Sequence, residues 1–506
     1  MNGDDELVPP LQAPTSPSSS LFTNLADLVG HHSGRTPDLV ALVQPGRTRR
    51  ALTWAELERA VDALASGLSS LGLVAGHRVV ICGANSIEFV VVYLAALRAG
   101  FVAVPVNPQL TDDELRRIVA DSGAKVAFAD VPVEVSGVRV VPLSADALAS
   151  LSAPDQPPVS SPRDQESLAA LLYTAGTSGG PKAAMLTHRA LLAHLEHLEA
   201  LQVIPPGTHV LALLPLFHVF GLNAVLGSWA MNGGRLVVAD GYTDDFFAVI
   251  GEEHITNLPL APAVIYRLLQ DERLADGLAE VSIVVSGAAP LPETMRDAFT
   301  ALTGLRVEQG YGLTEAAPGV SATLGGQALG GGHVGRTLPG VQIRIGDGSE
   351  QSEPGEIWVR GDNLFSGYWP GGEGGPGEDG WFATGDIGYL ADEELFLVDR
   401  ARELVIVNGF NVYPAEVEQV IIEVEGVLDV AVVGAPDART GEHVVAFVAG
   451  PGLDEDAIRA HCEIRLAKFK RPHVIKVLNE LPRGATGKIL KGELRRSLAA
   501  PTEPGR

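Results

Sequence analysis

Short runs of consecutive apolar residues alternate with amphipathic stretches up to about residue 330 of this chain. The runs at 40–44, 78–82, 102–106, 125–129, 168–172, 210–215, 235–239, 257–260, 283–286 and 305–307 are too short for buried helices and predict strands covered on both faces. Most of the rest of 21–73 reads as helix, and 54–71, 87–99, 111–122 and 189–198 carry apolar residues at helical spacing. Thr53 with Glu56 three residues later is a capping box, which opens the helix over 54–71. Asp112, Asp113 and Glu114 suit the positive end of the helix over 111–122. Strand 78–82, helix 87–99 and strand 102–106 form a β-α-β unit, which requires a parallel sheet. The expectation is an α/β fold whose large N-terminal domain stacks two α/β subdomains.

After about residue 330 the pattern changes. Short β runs at 341–345, 356–360 and 394–398 alternate with Gly/Pro turns, predicting a small β-barrel or distorted sheet up to 401. A smaller α+β domain follows over 402–506. Residues 152–165, rich in Pro, Ser and Asp, read as an exposed connector, and the Gly/Glu-rich segment 370–380 reads as mobile. Residues 1–20 form a polar, Pro/Ser-rich tail without a basic start and apolar block, expected to be disordered and not secretory.

Composition narrows the class. The 506 residues bury more than one core, and 46% hydrophobic with 20% charged residues is globular. A net charge of −25 argues against general nucleic-acid binding. Cys82 and Cys462 are too far apart and too few for a disulfide framework or a cysteine zinc site. No apolar run is long enough to span a membrane, and with the cysteines unpaired the expected location is a reducing cytoplasm.

The chemistry concentrates at Tyr173-Thr174-Ala175-Gly176-Thr177-Ser178-Gly179-Gly180-Pro181-Lys182, in a stretch that runs on through Ala183-Ala184-Met185-Leu186-Thr187 to His188. Placed between the apolar run 168–172 and the helix over 189–198, this reads as strand, loop, helix. Glycines admit close backbone approach, backbone N–H groups and the hydroxyls of Thr174, Thr177 and Ser178 attract anionic oxygens, and Lys182 adds charge. The loop reads as a phosphate cradle. It is not a P-loop, because Pro181 precedes Lys182 and Ala183 follows it. Gly176 to Gly180 also spells G-x-S-x-G, which leaves an α/β-hydrolase with Ser178 as nucleophile as a rival. The basic stretch 465–496 is a second candidate anion site, or a solvated helix face.

Further motifs agree with the loop in order and spacing. They are Gly310-Tyr311-Gly312-Leu313-Thr314-Glu315, Trp381-Phe382-Ala383-Thr384-Gly385-Asp386, Asp399-Arg400-Ala401-Arg402, Asn408-Gly409-Phe410-Asn411-Val412-Tyr413-Pro414 and Pro482-Arg483-Gly484-Ala485-Thr486-Gly487-Lys488. Together they make the chain, from about 21 to 498, resemble the adenylate-forming superfamily, and within it the fatty-acyl and aryl-CoA ligases. Ala175, Ser178 and Ala183 stand where that family more often has Ser, Thr and Gly.

The resemblance implies ATP, Mg²⁺ and CoA as cofactor and co-substrates, and a carboxylic acid as substrate. It implies nucleotide contacts from Thr174, Ala175, Gly176, Thr177, Ser178, Gly179, Lys182, Gly287, Ala288, Ala289, Gln309, Gly310, Tyr311, Gly312, Thr314, Asp386, Arg400 and Lys488. Glu315 would hold Mg²⁺, with Tyr311 near adenine and Asp386 on the ribose. Lys488, Thr174, Glu315 and His218 would serve catalysis. The acyl pocket would be lined by His218, Val219, Gly221, Ser286, Gly287 and Gly310, small or apolar walls that suit an apolar acid over a dicarboxylate. Arg402 sits at the hinge position, and Gly409 and Phe410 in the loop that serves thioester formation. Trp229 reads as a core residue, with a pocket gate as the alternative. A carrier-protein acceptor and an inactive nucleotide-binding paralogue are the alternatives, and homodimers are common in the family.

Overall fold

The computed structural model describes residues 22–499 except 134, 162–163, 175–181, 202–204, 290, 325, 327–328, 331, 350, 401–402, 404, 408–409, 438–440 and 485–486. The expected N-terminal tail lies outside the described residues.

Two sheets organise the large domain. The first has six strands in the order Arg139–Pro142, Val126–Ala129, Arg78–Cys82, Val102–Val106, Leu168–Thr174, Lys182–Thr187. All neighbours are parallel except the last pair. The second runs parallel through Val40–Gln44, Arg235–Val238, His209–Ala212, Asn257–Leu260, Ile283–Ser286 and Val307–Gly312. Six strands within 319–400 continue it at one end and Arg50–Thr53 pairs antiparallel at the other, giving a 13-stranded sheet. The strands expected as a small barrel are thus hydrogen-bonded in line with the second sheet.

The layers between the sheets explain the apolar pattern. Helix Ile87–Arg98 is buried along all 12 residues. Its surroundings join Val79 and Ile81 of the first sheet with Leu42 and Leu236 of the second in one core. Its two charges are paired, Glu88 with Arg50 at 2.5 Å and Arg98 with Glu58 at 3.0 Å, as burial of charge requires. Helix Trp54–Ser69 starts at the expected capping box, both halves of which are formed. Trp229 is buried, stacked on Trp54 at 4.9 Å, and donates Nε1 to Gly234 O at 2.9 Å, as a core residue should.

Several local expectations change. Strands Arg50–Thr53 and Arg139–Pro142 and helix Ala145–Leu151 add to the predicted elements. The segment 370–380, expected to be mobile, folds into hydrogen-bonded turns, with Gly377 N donating to Trp381 O at 2.9 Å.

The small domain carries strands Val405–Val407, Phe410–Val412, Asp429–Asp437, Gly441–Ala449 and Val474–Leu478 in one sheet. Helices Pro414–Ile422, Glu455–Arg465 and Lys491–Ala499 pack with it around separate cores. No helix among the described residues is long and apolar enough to cross a membrane.

Candidate active site

The phosphate-loop candidate is a β-hairpin. Leu168–Thr174 pairs antiparallel with Lys182–Thr187, Thr174 facing Lys182, and helix His188–Ala200 begins only after the second strand. The strand-loop-helix expectation therefore fails: residues 182–187, Lys-Ala-Ala-Met-Leu-Thr, are a buried strand and not a loop. A helix N-terminus does not serve this loop. Ala175, Gly176, Thr177, Ser178 and Gly179 lie outside the described residues. Thr174 Oγ1 donates to Lys182 O at 3.3 Å, which closes the hairpin at its mouth. The Lys182 ammonium stands over the Tyr368 ring, 5.3 Å from its centroid.

A second rim is built from strand Val307–Gly312 and the 3₁₀ turn Thr314–Ala316. Gln309, Gly310, Tyr311 and Gly312, expected after a strand at 305–307, are part of the strand itself. Antiparallel pairing of Gly310 with Ala322 and Tyr311 with Ser321 extends it. Tyr311 is buried and its hydroxyl donates to Asp386 Oδ2 at 2.7 Å, so two of the expected nucleotide residues are in contact. Thr314 opens the turn and Glu315 follows, half-buried. The Tyr368 hydroxyl donates to Glu315 Oε1 at 2.6 Å, and Phe365 N donates to Glu315 O at 2.9 Å.

This turn is held by two fully buried asparagines. Asn363 Nδ2 donates to Ala316 O at 2.7 Å and Gly319 O at 2.8 Å, and Asn223 Nδ2 to Ala317 O at 2.6 Å. A third, Asn85, donates to Ala212 O, Leu214 O and Ala239 O and accepts from Leu216 N at 2.9 Å. It fixes the segment that leads to His218. Asn85, Asn223, Asn363 and Tyr368 were not singled out in the sequence. A lone Asn there carries no sign of burial, and only Tyr368, in a Gly-Tyr-Trp-Pro cluster, offered a local signal.

His218 lies two residues before a π-helical segment, Phe220–Gly227. Such segments are rare and recur at functional sites. Burial, with the Lys488 ammonium adding to it, lowers the His218 pKa to about 4, so the ring is neutral at pH 7. Lys488 therefore stands near His218, although the two belong to different domains. Gly487, at φ +78°, is pressed against the helix Pro262–Leu268: a Cβ there would lie 2.8 Å from Ala263 Cβ. Gly287 lies against the Phe220 ring, 2.7 Å from where its Cβ would be, so Phe220 is a further wall of the expected acyl pocket. Ser286 Oγ is buried without a hydrogen-bond partner among the described residues. Ala288, at φ +68°, is exposed, and Ala289 is half-buried. Val219 joins the main core, and Gly221 packs on the Pro215 carbonyl.

Arg402 and Gly409 lie outside the described residues. Arg400 is on strand Glu394–Arg400, opposite Asp386, and Phe410 on strand Phe410–Val412. Four of the ten basic residues of the stretch 465–496 pair with carboxylates elsewhere in the small domain: Arg465 with Glu423, Lys470 with Glu416, Arg483 with Asp429, and Lys491 with Glu403 and Glu418. That part of its charge is structural. Among the described residues no three His, Cys, Asp or Glu side chains gather to hold a metal ion.

Comparison with known proteins agrees with this arrangement. The model of the AMP-binding enzyme family matches residues 29–369, and that of the AMP-binding enzyme C-terminal domain matches 416–488. The chain is 34% identical to 4-coumarate–CoA ligase 5 of Oryza sativa subsp. japonica, covering 90% of this chain and 91% of the relative. It is 33% identical to long-chain-fatty-acid–CoA ligase FadD13 of Mycobacterium tuberculosis, covering 94% and 99%. The fold matches ATP-bound MatB from Rhodopseudomonas palustris with a TM-score of 0.86 at 30% identity, covering 94% of this chain and 99% of that one. Against apo MatB the TM-score is 0.76. The chain belongs to the AMP-binding enzyme family and is an AMP-forming acid–thiol ligase of its acyl-CoA ligase branch.

Proposed function

We propose that the enzyme activates an apolar carboxylic acid, fatty or aryl, as its acyl-AMP and then transfers the acyl group to CoA. The observation that carries this is the position of Lys488. A lysine of the small domain stands close enough to the buried His218 of the large domain for its charge to help lower the His218 pKa. In the first step a carboxylate oxygen attacks the α-phosphorus of ATP, and the bond to pyrophosphate breaks. Both partners are anions, so an ammonium between them lowers the barrier by offsetting charge where it develops. Lys488 takes that role, with Lys182 and the loop at 175–179 on the departing phosphates. Tyr311 and Asp386, already hydrogen-bonded, take adenine and ribose.

Glu315 fits Mg²⁺. It is a hard oxygen donor, half-buried and held by Tyr368, and no all-protein cage surrounds it among the described residues. Mg²⁺ is commonly bound in this way, by one or two carboxylates with phosphate oxygens and water. When bound, the ion would offset the charge of the phosphates.

In the second step the CoA thiol attacks the acyl carbonyl and AMP leaves. The small domain turns at Arg402, withdrawing Lys488 and bringing Gly409 and Phe410 to the site, a hinge rearrangement. The better match to ATP-bound than to apo MatB supports the first pose for this structure. Phe220, Gly287, Ala288 and Ala289 support an apolar acyl chain, as do the names of the two relatives.

The test is pyrophosphate release with ATP and Mg²⁺ across fatty and aryl acids, with and without CoA. Acid-dependent release with a CoA thioester as product is expected. Release without thioester at saturating CoA would overturn the CoA step and point to a carrier-protein acceptor. No release with any acid, in a chain that binds ATP, would overturn the activation step.

A further inference from the structure

Residues 366–369 run along the outer edge of strand Lys182–Thr187. Ser366 N donates to Met185 O at 2.9 Å, Met185 N to Gly367 O at 3.0 Å and Trp369 N to Ala183 O at 2.9 Å, with a bridge between Ala184 and Tyr368. This strap ties the edge of the first sheet to the connection between strands Gly355–Arg360 and Phe382–Ala391 of the second. Its end is pinned. Trp369 Nε1 donates to Asp121 O at 3.0 Å, and the Arg78 guanidinium covers the Trp369 ring at 5.0 Å. A turn closes behind it, Tyr368 N donating to Glu373 O at 3.0 Å.

Tyr368 therefore has little freedom, and it stands between two charged groups that come from different sheets. The Lys182 ammonium lies over its ring, and its hydroxyl donates to Glu315 Oε1. Phe365 packs edge-on to the ring, centroids 5.0 Å apart, while its backbone N–H holds the carbonyl of Glu315. One fixed aromatic residue thus spaces the hairpin's lysine from the turn's carboxylate.

We propose that Tyr368 is a positioning residue for the metal–nucleotide complex. Its hydroxyl fixes one oxygen of Glu315 and leaves the other for the metal, and its ring parks Lys182 until phosphate draws it away. The proposal rests on the roles given above to Glu315 and Lys182. The physical reason is preorganisation. A carboxylate already held by a hydrogen bond loses less freedom on binding an ion, and such outer partners tune affinity. An ammonium over a phenol ring is held weakly enough to leave for a phosphate.

The test uses the full chain, Mn²⁺ as the metal probe and a non-hydrolysable ATP analogue, with Mn²⁺ binding followed by electron paramagnetic resonance. Tyr368→Phe keeps the ring and removes the hydroxyl. It should weaken Mn²⁺ binding in the presence of the analogue about tenfold, the scale of one hydrogen bond to a charged group, and leave metal-free analogue binding unchanged. Tyr368→Leu removes the ring as well and should also weaken metal-free analogue binding. Wild-type Mn²⁺ affinity in Tyr368→Phe, with an unchanged melting temperature, would overturn the hydroxyl's role. Equal metal-free binding in the Leu and Phe variants would overturn the ring's role. Glu315→Gln separates the two levels of the argument: if it binds Mn²⁺ like wild type, the assignment of Glu315 fails, and this proposal fails with it.

Discussion

Two regions meet at the site and are built differently. The rim of the large domain, residues 314–318, is held from inside by the amides of Asn363 and Asn223, both wholly buried. The loop 483–489 of the small domain is held from outside. It closes on itself through Gly484 N to Lys488 O at 2.8 Å and Leu490 N to Pro482 O at 2.8 Å. It is anchored by Arg483 on Asp429, whose side chains are 40% and 23% exposed. Buried amides with fixed partners allow one geometry. A self-contained loop on partly exposed ion pairs can be carried as a unit. The difference fits the proposed chemistry, in which the rim is a wall and the loop a moving part whose Lys488 serves one half-reaction and leaves for the other.

The largest expected effect tests the moving part. Lys488→Ala should lower adenylation by about 10²–10³-fold, the usual loss when one preorganised charge-stabilising donor is removed. Conversion of supplied acyl-AMP to thioester should be spared. Equal loss of both half-reactions in a folded variant would break the comparison. The same variant has a spectroscopic signature. The Lys488 charge disfavours imidazolium, so its removal should raise the His218 pKa above about 4. Burial is the larger cause, so the rise should stop short of the ordinary 6.5. Titration of the His218 ring by NMR measures it.

The sequence carried the moving part better than the wall. Lys488 and its Thr-Gly-Lys context are local, and so were Glu315, Asp386 and the glycines near them. Ten apolar runs marked ten of the parallel strands at least in part, because strands buried on both faces have no polar positions to blur them. The hairpin was misread where Lys182, at a strand end, continues into the small residues Ala183 and Ala184, which suit a loop as well as a buried strand. The strand through Gly310 and Gly312 was shortened because glycine argues against strand until a partner supplies the hydrogen bonds. Asn85, Asn223, Asn363 and Tyr368 stayed hidden because their partners are distant backbone atoms or a carboxylate 53 positions away. No spacing rule encodes those contacts.

The wall is tested by Asn363→Ala. It leaves the buried carbonyls of Ala316 and Gly319 without their donor, at a cost of about 1–3 kcal/mol. The urea midpoint should fall accordingly. ATP affinity should fall as well, because Glu315 and Thr314 ride on the same turn. An unchanged midpoint would mean that the turn is held by its own backbone, and the contrast with the small domain would lose its basis.

The smallest effect should come from Lys491→Ala, and it is the most discriminating. Lys491 starts the last helix, three residues beyond Lys488, with its ammonium 3.0 Å from Glu403 and 2.8 Å from Glu418. Glu403 follows the expected hinge residue Arg402. Glu418 Oε1 also accepts from Val432 N at 2.6 Å. One side chain therefore links the end of the Lys488 loop, the residue after the expected hinge and the small domain's sheet. All three side chains are 15–22% exposed, so the pair should contribute about 1 kcal/mol, near the upper end for solvent-exposed pairs. A loop that moves as one unit with the hinge predicts more than this stability loss. Adenylation should fall more than thioester formation from supplied acyl-AMP, and Lys491→Arg should restore it, because a guanidinium can bridge two carboxylates. If both half-reactions fall together in proportion to the melting temperature, Lys491 only stabilises the small domain. The loop's position would then be set by its contact with the helix Pro262–Leu268, and the moving part would be guided by the wall it docks against.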